Sequence, residues 1–131
     1  MFLVFSGDET QVDLIVSRYD EDWNELSPFQ YTIYESPSNE WNWASSGITW
    51  IPEYNLWGLA YTSMPAEGGD MDGRARLALV DNDFNLISLL PSLQQDSGTF
   101  RPHILWHEEH LFLSYDAGPV LLERYAIVLE E

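Results

Sequence analysis

The chain has 131 residues, 45% of them hydrophobic and 15% aromatic, which fits one folded domain with a modest core and excludes a disordered polymer. Twenty-two acidic residues face five arginines (18, 74, 76, 101 and 124) and no lysine, for a formal charge of −17. That charge argues against gripping nucleic-acid phosphates, and the absence of cysteine excludes disulfides, zinc–thiolate sites and thiol catalysis.

The N-terminus, MFLVFSGDE, has no basic residue and only a short apolar run, too little for a signal peptide. Nothing approaches the roughly 18 apolar residues of a membrane span. From there on, apolar runs are short, rich in aromatic and β-branched residues, and broken by turn residues, which predicts strands throughout. In chain order they are Phe2–Ser6, Val12–Tyr19, Phe29–Glu35, Gly47–Ile51, Leu56–Thr62, Ala75–Val80, Leu86–Leu90, His103–Trp106, Leu111–Tyr115 and Val120–Leu129. The clearest loop is Gly68-Gly69-Asp70-Met71-Asp72-Gly73, followed by Ser36-Pro37-Ser38-Asn39 and Gln95-Asp96-Ser97-Gly98.

Two stretches repeat: YDEDWNELS from residue 19 and VDNDFNLIS from residue 80, both Asp-x-Asp-aromatic-Asn, an apolar residue and serine. Ile48-x-Trp50 and Ile104-x-Trp106 each precede a polar turn and an apolar strand that closes on Tyr61 or Tyr115. FLVFSGDE reads as a third copy of that closing strand, with Phe5 in the tyrosine position. A second strand follows in three copies, VDLIVSRYD from residue 12, ARLALVDN from residue 75 and VLLERYA from residue 120, with Arg18-Tyr19 matching Arg124-Tyr125. The predicted order is therefore strand, strand, Asp-x-Asp turn, strand, and then the Ile-x-Trp strand of the next unit.

Four strands in about 55 residues resemble the blades of bacterial extracellular β-propellers, with their W-x-G-x-x-Y-x-V-x-W hairpins and R-L-D-x-x-G-N turns. The matching pieces are Trp50 to Tyr61, Trp106 to Tyr115, and Asp83-Phe84-Asn85. Trp23 and Phe84 stand where those blades carry glycine. The resemblance implies an all-β chain of antiparallel four-stranded units, about two and a half blades, in one domain over residues 1–131. Since propellers close with four to eight blades, such a chain would be a fragment of a longer propeller or a subunit that closes with copies of itself. A β-sandwich is the alternative.

Oxygen ligands at alternating positions, as in Asp20-x-Asp22-x-Asn24 and Asp81-x-Asp83-x-Asn85, also open calcium loops. Those loops need glycine at the sixth position and an acid at the twelfth, and here the sixth is Glu25 or Leu86. The residues read instead as turns in which Asp and Asn bond their own backbone.

All three histidines fall in His103-x-x-x-His107-Glu108-Glu109-His110. On a helix His103 and His107 would share a face. On the predicted hairpin they do not, and His107 and His110 flank a solvated Glu108-Glu109 tip. No nucleophile motif, phosphate loop or evident carboxylate pair indicates catalysis. Trp41 and Trp43 lie outside the repeated positions and are candidates for a surface contact. With Asp70, Asp72, His107 and His110 they form the expected ligand-binding set. The expected function is a non-enzymatic binding or scaffolding module for a protein or a glycan, with no cofactor, no bound metal and no nucleic-acid or membrane partner. The alternative is a small acidic inhibitor that blocks a basic partner through its negative surface.

Overall fold

A computed structural model describes residues 2–7, 13–34, 40–65, 73–91 and 100–128. Among the described residues ten strands follow one another: β1 Phe2–Gly7, β2 Leu14–Tyr19, β3 Glu25–Tyr34, β4 Glu40–Ile51, β5 Leu56–Pro65, β6 Arg74–Asp81, β7 Leu86–Pro91, β8 Phe100–His107, β9 His110–Asp116 and β10 Val120–Tyr125. Each strand pairs antiparallel with its sequence neighbour in three sheets, β1-β2-β3, β4-β5-β6-β7 and β8-β9-β10. The all-β expectation holds. The strand count is three, four and three, and no sheet is closed or curled.

The four-stranded sheet lies between the other two. Leu59, Tyr61, Ala78, Val80 and Phe84 pack on Leu14, Val16 and Ile33 of the first sheet. Ala60, Ala75 and Leu77 point the other way, onto Ile104, Leu111, Leu113 and Tyr115 of the third. Because alternate side chains go to opposite faces, a sheet buried on both faces must be apolar at successive positions. That is what LWGLAY and ARLALV supply.

Glycine sets how closely the second and third sheets approach. A methyl group on Gly58 would sit 3.1 Å from Ile104 Cδ1 and 3.3 Å from Leu111 Cδ1. Hydrogen bonds lock the same junction: the Trp106 amide donates to Thr49 Oγ1 at 3.0 Å, and Trp106 Nε1 donates to Glu53 Oε2 at 2.7 Å. Within the third sheet, Tyr115 and Tyr125 both donate their hydroxyls to the buried Glu123 carboxylate.

The repeated Asp-x-Asp turns are one structure built twice. Asp20 Oδ1 accepts the amides of Asp22 (2.8 Å) and Asn24 (2.9 Å), while Asn24 Nδ2 donates to Asp20 Oδ2 at 3.2 Å. Asp81 Oδ1 accepts the amides of Asp83 and Asn85, both at 2.9 Å, and Asn85 Nδ2 donates to Asp81 Oδ2 at 3.1 Å. Trp23 and Phe84 take φ of 63° and 64°. This is the left-handed region that glycine enters without strain.

Those turns place β2 against β6 residue by residue, so that Leu14 and Val16 match Ala75 and Leu77. Phe5 pairs with Val16, and Leu77 pairs with Ala60. The place of Tyr61 therefore falls on Ser6, one residue after the Phe5 expected from the sequence; an apolar run has no internal mark to anchor its alignment, whereas the turn does. Other strand limits also move. β3 begins at Glu25 and carries Pro28, and its pairing with β2 skips between Ser17 and Tyr19. β8 likewise skips from Phe100 to His103 around Pro102. Proline has no amide to give the ladder, so pairing breaks there. β10 ends at Tyr125 rather than Leu129, which lies outside the described residues.

Candidate functional site

Asp70 and Asp72 lie outside the described residues. Trp41 and Trp43, expected as an unrepeated surface element, are within β4, opposite Met64 and Thr62 of β5. The strand reaches that far because a bulge between Ala44 and Gly47 absorbs Ser45 and Ser46 and lets pairing continue. The structure thus puts these residues in the central sheet's ladder, at the other end of β4 from its turn to β5.

His107 and His110 are directly paired across the two-residue turn Glu108–Glu109, whose φ values of 47° and 67° are those of a type I′ hairpin. His110 Nδ1 donates to the Glu108 carbonyl at 3.0 Å, and the His107 ring lies 3.7 Å from the Glu108 carboxylate. Contrary to the expectation for a hairpin, His103 and His107 do share a face. Four residues is an even step, and the strand period is two.

That shared face is the outer side of the third sheet. Ile104 and Trp106 of β8, Leu111, Leu113 and Tyr115 of β9, and Leu121 and Tyr125 of β10 pack inward. The alternate residues point out: Leu105 is 58% exposed, Val120 77% and Leu122 68%. Among them runs an open depression of about 380 Å³, lined by His103, Leu105, His107, Phe112, Ser114 and Leu122. The floor is apolar and the histidines stand along one side. Elsewhere on this sheet Arg101 is ion-paired with Asp116 at 3.7 Å, and the exposed Arg124 lies opposite Phe112.

Leu105, Phe112 and Leu122 were missed from sequence because each belongs to a strand that reads as ordinary core. The available signal was alternation: HLFLSYD and VLLERY carry apolar residues on both faces, one more face than a covered edge layer needs. Among the described residues, no three histidine, aspartate or glutamate side chains converge as a metal site would require. The turn carboxylates of Asp20 and Asp81 are engaged by their own backbone. The Asn24 amide bond, with help from the Asn24 side chain and the Asp22 amide, holds Asp20 below the usual carboxylate range, and Asn85 and Asp83 do the same for Asp81.

No protein-family model, curated protein or solved structure matches this chain.

Proposed function

We propose that the chain is a non-enzymatic binding or scaffolding module made of propeller-type units, and that it makes its contact through the outer face of the third sheet. The observation that carries this reading is the exposure of Leu105, Val120 and Leu122 around the histidine-lined depression. Contiguous exposed apolar surface on a folded chain marks an interaction site. Its apolar floor favours a protein partner over a glycan.

The propeller-type organisation is supported by two recurrences. The Asp-x-Asp turn has the same hydrogen bonds in the first and second sheets. In addition, β1 lies on β4 as β5 lies on β8, and β2 touches β4 as β6 touches β8. Stacking by a constant step is how propeller blades succeed one another.

Mapping by nitrogen-15 NMR, with an apolar dye and with simple methyl glycosides as probes, tests where contact occurs. Shifts confined to the outward residues of β8, β9 and β10 are expected, stronger with the dye. Shifts centred on another surface, or none with either probe, would remove this face as the contact.

A second reading, the acidic inhibitor, has its own support. Glu53, Asp81, Asp83, Glu108 and Glu109 are gathered at the hairpin end of the second and third sheets, where Tyr54 meets Trp106 edge-on at 6.0 Å. A basic protein would bind there in a strongly salt-dependent way, with shifts at these turns instead of the sheet face.

A further inference from the structure

The outer face of the third sheet repeats positions that are buried in the other two. Leu14 and Val16 in the first sheet match Ala75 and Leu77 in the second through the shared turn. Ala75 and Leu77 match Val120 and Leu122 in the third, because Arg76 is opposite Tyr61 as Leu121 is opposite Tyr115. Leu14, Val16, Ala75 and Leu77 are all 0% exposed, each covered by the sheet that follows. At Val120 and Leu122 nothing described follows.

We propose that the occupant of this face is a second copy of the chain, seating the outward side of its first sheet (the side of Gln30 and Thr32) on Leu105, Phe112 and Leu122. This rests on the binding-module reading above and names its partner. Two observations favour a second copy. The covering element at both internal junctions is another antiparallel sheet of the same chain, so its first sheet is already of the right kind. Finally, three sheets from each of two chains make six, within the range of about four to eight at which stacked blades close into a ring. Each junction is then heterologous, third sheet on first sheet, and the two-fold axis makes both junctions identical and closed.

Size can vary at the interface. Phe112 occupies the place of Gly58, and Leu3, which has that place in the first sheet, is itself packed against a neighbouring core. A bulky residue there is compatible with being covered.

Light scattering over a concentration series tests the proposal, with circular dichroism verifying that each variant keeps its strands. Wild type is expected at twice the chain mass of 15.1 kDa. Leu122→Glu and, separately, Thr32→Glu are each expected to weaken the dimer by about a hundredfold or more, because each buries an unpaired carboxylate at a junction. Both substitutions are at exposed positions, so the folded monomer tolerates them. A wild type that stays monomeric at every concentration overturns the proposal, and so does an assembly of any size other than two. Loss of the dimer in Leu122→Glu with full retention in Thr32→Glu also overturns it, since the third sheets would then be meeting each other. The NMR mapping is made on the Thr32→Glu variant as a monomer, whose third sheet is uncovered, so it can succeed or fail whatever wild type assembles into, and the two readings fail separately.

Discussion

Trp23 and Phe84 hold the same left-handed backbone at the same place in matching turns, yet their side chains have opposite fates. Trp23 is 62% exposed, touching Tyr19 with ring centroids 5.7 Å apart. Phe84 is buried against Tyr31 at 4.9 Å. A non-glycine residue in this region costs about 1–2 kcal/mol, so glycine relieves strain at both sites. At Phe84 the loss of a buried ring costs about 3–5 kcal/mol and dominates. Phe84→Gly should therefore lower stability by roughly 1–4 kcal/mol, the difference of those two effects. Trp23→Gly should leave stability unchanged or raise it by up to about 1 kcal/mol. Urea unfolding of the two variants side by side decides; equal losses would mean the turn, not the packing, sets the cost.

The turn aspartates contribute to the dependence of stability on acid pH. Amides of Asn24 and Asn85 favour the charged forms of Asp20 and Asp81, so their folded pKa values lie below the ordinary 3.8. A depressed folded pKa stabilises the native state above the unfolded value, and the contribution disappears as pH falls through the folded value. A double variant, Asp20→Asn with Asp81→Asn, should be less stable than wild type at about pH 5, with the gap closing by about pH 2. A gap that stays constant over that range would show that the charge on these groups is not what the turns use.

At the scale of the elements, β4 and β5 pair so closely at Gly47 and Ala60 that only small residues fit. A methyl group on Gly47 would lie 2.7 Å from the Ala60 Cβ. Both belong to the central sheet, which is covered on both sides and cannot spread. Gly47→Ala should cost about 1–3 kcal/mol by overpacking, and adding Ala60→Gly should recover part of it. Full additivity of the two substitutions would contradict the close approach.

Strand identity was legible from sequence wherever turn chemistry bounded an apolar run, as at Asp81–Asn85 before β7 and at Glu108–Glu109 between β8 and β9. It was less legible at β3 and β4. Pro28 sits inside β3, which an edge strand accepts because its amide side need not be paired. The bulge at Ser45-Ser46 carries β4 past the break that two serines suggest. In both cases long-range pairing overrode a local signal that is correct in isolation. The histidine face illustrates a simpler ambiguity: a step of four suits one face of a helix, and the strand period of two also brings residues 103 and 107 to one side.

Over the whole molecule, charge opposes compaction. With −17 on 131 residues and no lysine, screening should favour the folded and the associated states together. Raising sodium chloride from about 10 mM to about 1 M shortens the Debye length from about 30 Å to about 3 Å. The thermal midpoint should rise, and the dimer should tighten rather than loosen. A midpoint that falls with salt would show that ion pairs such as Arg101–Asp116 outweigh the general repulsion.

The amino-acid sequence alone determined that the chain is all-β, where its tightest turns fall, and that its surface is strongly anionic. Each of these depends on residues close in the chain or on composition. Only the tertiary structure decided that the strands divide three, four and three, that the central sheet is covered on both faces, and that Leu105, Phe112 and Leu122 are left facing outward. A leucine in a strand looks the same from sequence whether a neighbouring layer covers it or not, since coverage is a property of sheets stacked at long range and not of the strand itself.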